Sequence, residues 1–529
     1  MKKIRLRTAL SALSFLLLLL CIFTGCGPKE CLHVGGEWTV DVAPTCTAKG
    51  SRHQVCGLCG ITVAIEEVDV IAHDYSQTVE KPNCITAGTL KSVCSVCGAV
   101  EKNEEVSPAV GHTLDVSGCC SVCKQYFIST AAQLTAFASA VNGGNPFSGK
   151  MVSLMGNIDM KGADWTPVGT ADHPFDGIFE GNGYTVSNYK LSVSESNATP
   201  YVGFFGYSSG SIYNLTLMRS TLYVSVNIGN GALYAGELLG YNDGGAVWNC
   251  TVDRGSQTLH FSASSSTGNC KGYFGGAIGY NKGGELMGVS VVGDEYYGTV
   301  SGSITAANSI GYVGGLLGYS RGGRIERCYA DVRSDGSVYG VDSEAYVGGL
   351  VGYLEYVNLG ISNCYARGAY AFSRAESGTV SNYNKAYGGS FAGYVYQSKV
   401  TNCYATGHSQ GPSDTTDFAE TVFLYIGGFA GGTDTTSTFS GCFSLGYGNA
   451  VKNTEGNYYA SGFIAGGVGS DQIKNCYENS SSLTTGYVIH EDAIKTDIFT
   501  VKSVEFLTKT LGFSTDVWNI TGADLPTLK

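Results

Sequence analysis

The feature that most limits how this chain can fold is a short phrase written eight times. It begins as Tyr201-Val-Gly-Phe-Phe-Gly206 and Tyr234-Ala-Gly-Glu-Leu-Leu-Gly240 and continues as Tyr273-Phe-Gly-Gly-Ala-Ile-Gly279, Tyr312-Val-Gly-Gly-Leu-Leu-Gly318 and Tyr346-Val-Gly-Gly-Leu-Val-Gly352. Tyr387-Gly-Gly-Ser-Phe-Ala-Gly393, Tyr425-Ile-Gly-Gly-Phe-Ala-Gly431 and Tyr459-Ala-Ser-Gly-Phe-Ile-Ala465 complete it. The opening tyrosines are 33, 39, 39, 34, 41, 38 and 34 residues apart. A fixed phrase at such a period predicts stacked units, each too small to bury its own apolar face.

A second element follows most openings: Val247-Trp-Asn-Cys-Thr-Val252, Ile325-Glu-Arg-Cys-Tyr-Ala330, Ile361-Ser-Asn-Cys-Tyr-Ala366, Val400-Thr-Asn-Cys-Tyr-Ala405, Phe439-Ser-Gly-Cys-Phe-Ser444 and Ile473-Lys-Asn-Cys-Tyr-Glu478. Apolar positions four and six alternate as in a strand, whereas one to four breaks that period and implies a bend near the Asn. No helical period is sustained within the repeats. Strand, bend, strand with glycine at fixed places predicts the coils of a parallel β-helix. The chain as a whole is therefore expected to be all-β: a solenoid with a short N-terminal capping helix, preceded by small Cys/His-rich, zinc-ribbon-like modules.

Composition closes off other classes. Glycine supplies 75 of 529 residues without a three-residue period, so collagen is excluded, and 43% hydrophobic residues exclude wholesale disorder. Only 14% of residues are charged, with a net charge of −12 and no basic stripe, so nucleic acid is not an expected partner.

The recurring Cys250, Cys328, Cys364, Cys403, Cys442 and Cys476 read as structural core, because Leu215 and Val289 take the same seat in other copies. Asn249, Asn363, Asn402 and Asn475 satisfy the bend, and the tyrosines are expected to stack from rung to rung.

The N-terminus carries Lys2, Lys3, Arg5 and Arg7 and then an apolar run from Ala9 to Phe23, a signal peptide by size and too short to span comfortably. Phe23-Thr24-Gly25-Cys26 resembles the lipobox of bacterial lipoproteins, with Phe23 where Leu is usual. That resemblance implies lipid on Cys26 and a membrane contact through it; ordinary secretion with cleavage near Gly25 is the alternative.

Twelve of the 19 cysteines precede residue 124. Cys46-x9-Cys56-x2-Cys59 returns as Cys84-x9-Cys94-x2-Cys97, with His33 and His73 ahead of the two sets. A degenerate third copy holds His112, Cys119, Cys120 and Cys123. Three Cys and one His per copy match the four N or S donors of a closed structural zinc site, and a Cys-x2-Cys-Gly turn presents two thiolates from one loop. Disulfides are the alternative staple, since export permits them. A unit of about 38 residues needs one or the other to fold. The arrangement resembles Cys-rich repeat modules of exported proteins of anaerobic gut bacteria, and reads as a stalk.

Gly315-Leu-Leu-Gly318 and Gly349-Leu-Val-Gly352 match the GLUG motif, and the repeats resemble that family of bacterial surface proteins. The resemblance extends to the edges of the array. Thr130 and Gln133 form a capping box before Leu134, Phe137, Ala138 and Val141, Trp165 to Val186 looks like first rungs, and Leu511 to Leu528 looks like a terminal cap.

Chemistry is sparse. No His-Glu-x-x-His is present, and the nearest acidic group (Asp159, Asp164, Asp172, Asp176, Glu180) lies in a turn-rich segment where Asp shapes bends. The expected division is a signal peptide at 1–25, a Cys/His stalk at 26–126, a cap and first rungs at 127–200, eight repeats at 201–490 and a C-terminal cap at 491–529. The expected role is non-enzymatic adhesion or binding of a host glycan or protein at the cell surface, with insertions such as Asp294–Gly298 and Tyr370–Tyr383 as contact loops. An architectural envelope role and a glycan-active enzyme are the alternatives.

Overall fold

The computed structural model describes residues 32–107, 109–194, 201–294, 298–367, 370–376, 384–411, 422–449, 457–467, 470–479, 487–488 and 493–529. They fall into two compact units, one ending at His112 and one beginning at Thr113. Cys26 and most of the two named insertions (residues 295–297 and 377–383) lie outside the described residues.

The first unit contains two three-stranded antiparallel sheets, Gly35–Val42 with Gly50–Cys56 and Thr62–Val68, and Tyr75–Glu80 with Gly88–Cys94 and Val100–Ser107. They are successive copies of one module.

The second unit is a parallel β-solenoid. One coil comprises five strands: Ile310–Gly314, Leu317–Arg321, Arg324–Glu326, Tyr329–Asp331 and Arg333–Tyr339. Stacking of coils builds five parallel sheets of 9, 7, 11, 11 and 8 described strands. Register is kept through the array: Tyr273, Tyr312, Tyr346, Tyr387, Tyr425 and Tyr459 pair in line although 34 to 41 residues separate them.

The phrase that opens each repeat is a tight elbow between the first two strands. A Cβ on Gly314 would stand 2.1 Å from the Leu317 carbonyl oxygen and 2.8 Å from Gly352 N of the next coil. Gly348 and Gly389 meet the same crowding, at 1.9 and 2.0 Å, so this glycine is dictated by backbone against backbone. Val313, Leu316 and Leu317 point into the apolar core, while the tyrosines form a separate cluster outside it. Rings stack along each sheet (Tyr234 on Tyr273 at 4.9 Å and 3°, Tyr241 on Tyr280 at 4.9 Å and 4°) and meet edge to face across the elbow, as Tyr312 does with Tyr319 at 4.8 Å. Aromatic pairs at such distances add stabilisation beyond area burial.

The second element bends where the period predicts. Asn249, Asn363, Asn402 and Asn475 have φ of 53°, 54°, 53° and 52°, the left-handed region. Gly288, Gly441, Asn214 and Arg327 fill that place in the other coils. Asn and Gly tolerate it; Arg does so at a cost. The following Cys seat faces inward, and all six cysteines are buried with Leu215 and Val289. Each thiol donates to the carbonyl two residues earlier, at 3.3 Å for Cys250, 3.3 Å for Cys328, 3.1 Å for Cys364, 3.2 Å for Cys403, 3.4 Å for Cys442 and 3.4 Å for Cys476. Burial pushes the Cys250 thiol up to about 12.

The helix Ala131–Asn142 covers the first coil. Thr130 Oγ1 accepts from Gln133 N, Gln133 Oε1 accepts from Ser129 N, and Leu134, Phe137, Ala138 and Val141 are buried. Phe137 packs against Phe147, Phe175 and Phe179. At the other end Ile494–Thr496 adds a last strand beside Tyr477–Asn479. The segment after it packs on the flank: Trp518, fully buried, donates to Asn363 Oδ1 at 3.1 Å, and Tyr404 donates to the Pro526 carbonyl at 2.6 Å. The assigned C-terminal cap thus supplies a final strand and a clasp over the outward aromatic row of Tyr365, Tyr404 and Phe443.

Candidate metal centre

In each module the Cys-x2-Cys pair sits on the turn between the second and third strands. Gly60 and Gly98, both at φ 73°, close those turns through N–H bonds to Cys56 O at 2.9 Å and Cys94 O at 3.0 Å. The lone cysteine (Cys46, Cys84) lies in the turn between the first and second strands, at the opposite end of the hairpin. The connecting strand Gly50–Cys56 has seven residues, so its ends are about 20 Å apart at about 3.3 Å per residue.

This geometry regroups the expected ligands. Counting by copy placed Cys46 with His33, Cys56 and Cys59; instead Cys46 joins His73, Cys94 and Cys97 of the next module, with all four donor atoms within 4.8 Å of one another. Cys46 Sγ lies 3.8 Å from Cys94 Sγ, and Cys97 Sγ lies 3.3 Å from His73 Nδ1. Two sulfurs on one tetrahedral ion with bonds of about 2.3 Å are separated by about 3.8 Å. His33, Cys56 and Cys59 form a second group, with Cys59 Sγ 3.4 Å from His33 Nδ1. Cys84, buried in the turn that corresponds to that of Cys46, stands apart from the His73 group. These Cys/His clusters can hold metal ions.

The electrostatics suit a cation. Cys94 is drawn down to about 6, chiefly by the Cys97 backbone N–H, and Cys56 to about 6 by the N–H groups of Leu58 and Cys59. Burial, followed by the neighbouring Cys97 and Cys94, pushes Cys46 up to about 11. A cation among the sulfurs would reverse that shift.

Three carboxylates of the acidic group in the first rungs accept hydrogen bonds from neighbouring turns. Asp159 Oδ1 accepts from Lys161 N and Asn188 Nδ2, Asp176 Oδ1 accepts from Phe147 N, and Glu180 Oε1 accepts from Asn182 N and Asn214 Nδ2. These carboxylates hold turns and ladders in place. Among the described residues no helix is long and apolar enough to cross a membrane.

No family model matches the chain, and no solved structure matches it. It is similar to a putative Gly-rich membrane protein of Evansella cellulosilytica, 32% identical over 133 residues, which is 25% of this chain and 14% of that protein. It is also similar to halomucin of Haloquadratum walsbyi, 31% identical over 100 residues, 17% of this chain and 1% of that protein. The chain thus spans a small part of either relative.

Proposed function

We propose that this is an exported, lipid-anchored cell-surface protein of the GLUG-repeat kind, whose solenoid is a non-enzymatic module for adhesion or ligand binding. The observation that carries this reading is where the repeats differ. Strand register is constant from coil to coil, and length changes enter on both sides of the fifth strand: two residues at 219–220, four at 254–257 and one at 332 before it, and four at 228–231, six at 265–270 and four at 340–343 after it. Segments of changing length and composition on a constant frame are the arrangement a recognition surface needs. Lipid on Cys26 would tether the chain, since two acyl chains anchor stably where one does not. Zinc is the ion that fits three thiolates and one imidazole in a closed set, and here its role is structural. The membrane-protein name of one partial relative is compatible with this placement.

Glycan and host-protein arrays probed with the full chain test the reading. Saturable, reproducible binding to a defined ligand supports it, and uniformly blank arrays refute it. A second reading, an architectural envelope component, is favoured by the tyrosine stacks and the C-terminal clasp, which occupy outward faces with intramolecular contacts. Deletion that alters envelope structure and leaves attachment intact selects that alternative.

A further inference from the structure

Two neighbouring residues break the repeat together. Glu237 stands where the next coils have Gly276, Gly315 and Gly349, and Arg254 stands where they have Gly293 and Val332. Both are buried, and they pair inside the coil with Arg254 Nη1 2.6 Å from Glu237 Oε2. The carboxylate is well served, since Ser220 and Tyr189 also donate to it at 2.5 and 3.2 Å. Arg254 is not: its Nη1 reaches Ser220 Oγ at 2.8 Å, but its Nε–H is buried without an acceptor among the described residues. A buried donor left in this way is uncommon in folded proteins.

A cavity of about 320 Å³ lies at that place, with Arg254 in its lining together with Thr221, Tyr223, Gln257, Thr258 and His260. The volume is at the small end for a small-molecule site. Its chemistry is selective. No carboxylate lines it, so it is not a cation site. The Arg254 charge is already balanced by Glu237, so nothing in the pair demands an anion. Tyr223 is half exposed, with its ring 5.9 Å from that of His260, and the two offer an apolar and aromatic wall. Thr221, Thr258 and Gln257 add hydroxyl and amide partners. One apolar face and several neutral hydrogen-bonding groups match a sugar ring, which has a C–H face and a rim of hydroxyls.

We propose that this pocket binds one neutral pyranose residue of a glycan, its C–H face against Tyr223 and its hydroxyls toward Thr221, Gln257 and Thr258. The inference rests on the ligand-binding reading above and gives it a place and a ligand class. The test is saturation-transfer NMR on the full chain with methyl glycosides of glucose, galactose and N-acetylglucosamine, and with methyl glucuronide as the charged control. At least one neutral glycoside is expected to saturate, and Tyr223→Ala and Gln257→Ala are each expected to weaken it about tenfold. Both positions are lining residues outside the core, and an unchanged melting temperature establishes that each variant is folded. The pocket is overturned if no neutral glycoside saturates, if the glucuronide is preferred, or if both variants bind as the parent does. Array binding that persists in both variants would overturn the pocket and leave the adhesive reading standing.

Discussion

Cys46 Sγ lies 3.8 Å from Cys94 Sγ, although the two cysteines are 48 residues apart and belong to different modules. An ion held by them ties one module to the next. Cys46→Ser and His73→Ala should therefore disturb the same bound metal, and their effects on affinity should be strongly non-additive. Cys46→Ser and His33→Ala should act independently. Cobalt substitution of the full chain, followed by its thiolate absorption bands, measures both cycles. Coupling of Cys46 to His33 in place of His73 would refute the staggered arrangement.

The elbow glycines make a steric prediction. Gly314→Ala forces a methyl against the Leu317 carbonyl and should cost about 2–3 kcal/mol. Gly283, at φ 73° with open space around its absent Cβ, should lose less on the same change. Thermal denaturation of the two variants compares them, and equal losses would contradict the crowding argument.

Arg327 occupies the left-handed bend at φ 54°, where neighbouring coils place Asn or Gly. Its ion pair with Glu326 is long, 3.6 Å, and the arginine side chain is exposed, so little is lost with it. Arg327→Asn or Arg327→Gly should stabilise the solenoid by about 0.5–1 kcal/mol. A lower melting temperature in both variants would disprove the strain.

Burial of Glu237 against Arg254 predicts an asymmetry. Glu237→Gln leaves the guanidinium without its counter-charge and should cost about 3–5 kcal/mol, whereas the double change Glu237→Gly with Arg254→Val restores the seats of the next coils and should be far milder. Denaturant unfolding of the single and double variants decides it. A double variant as damaged as the single one would show that the pair itself holds the coil together.

The tyrosine stacks set a limit at alkaline pH. Burial pushes Tyr234 and Tyr394 up to about 12, so the folded chain keeps protons that the unfolded chain releases near 10. Their contribution is complete below pH 10 and falls as pH rises through that window. Tyrosinate absorbance should appear late and together with loss of structure. Early, structure-preserving ionisation of most tyrosines would contradict this.

Much of the solenoid was legible because its strongest signals are local. Gly314 and its equivalents mark an elbow, Asn249 and its equivalents mark a bend, and Leu215 and Val289 identify the cysteine seat as core. The hydrogen bond from each thiol to the carbonyl two residues back was not visible, and it gives a reason why the seat prefers Cys to Val. The metal groups were legible as residues and misread as sets. Spacing counts donors, but which donors meet depends on the direction of a hairpin, and a seven-residue strand sends Cys46 and Cys56 to opposite ends. Packing of Trp518 against Asn363 could not be anticipated either, since 155 residues separate them and no local pattern pairs the two.

The unbroken register from Tyr273 to Tyr459 has a consequence for how such a chain can change over generations. Removing one whole coil brings its former neighbours together tyrosine to tyrosine and elbow to elbow, so reach shortens by about 4.8 Å with each mating surface already matched. Reach can then be tuned in unit steps by recombination between copies, while a cut at any fractional repeat leaves the two faces mismatched.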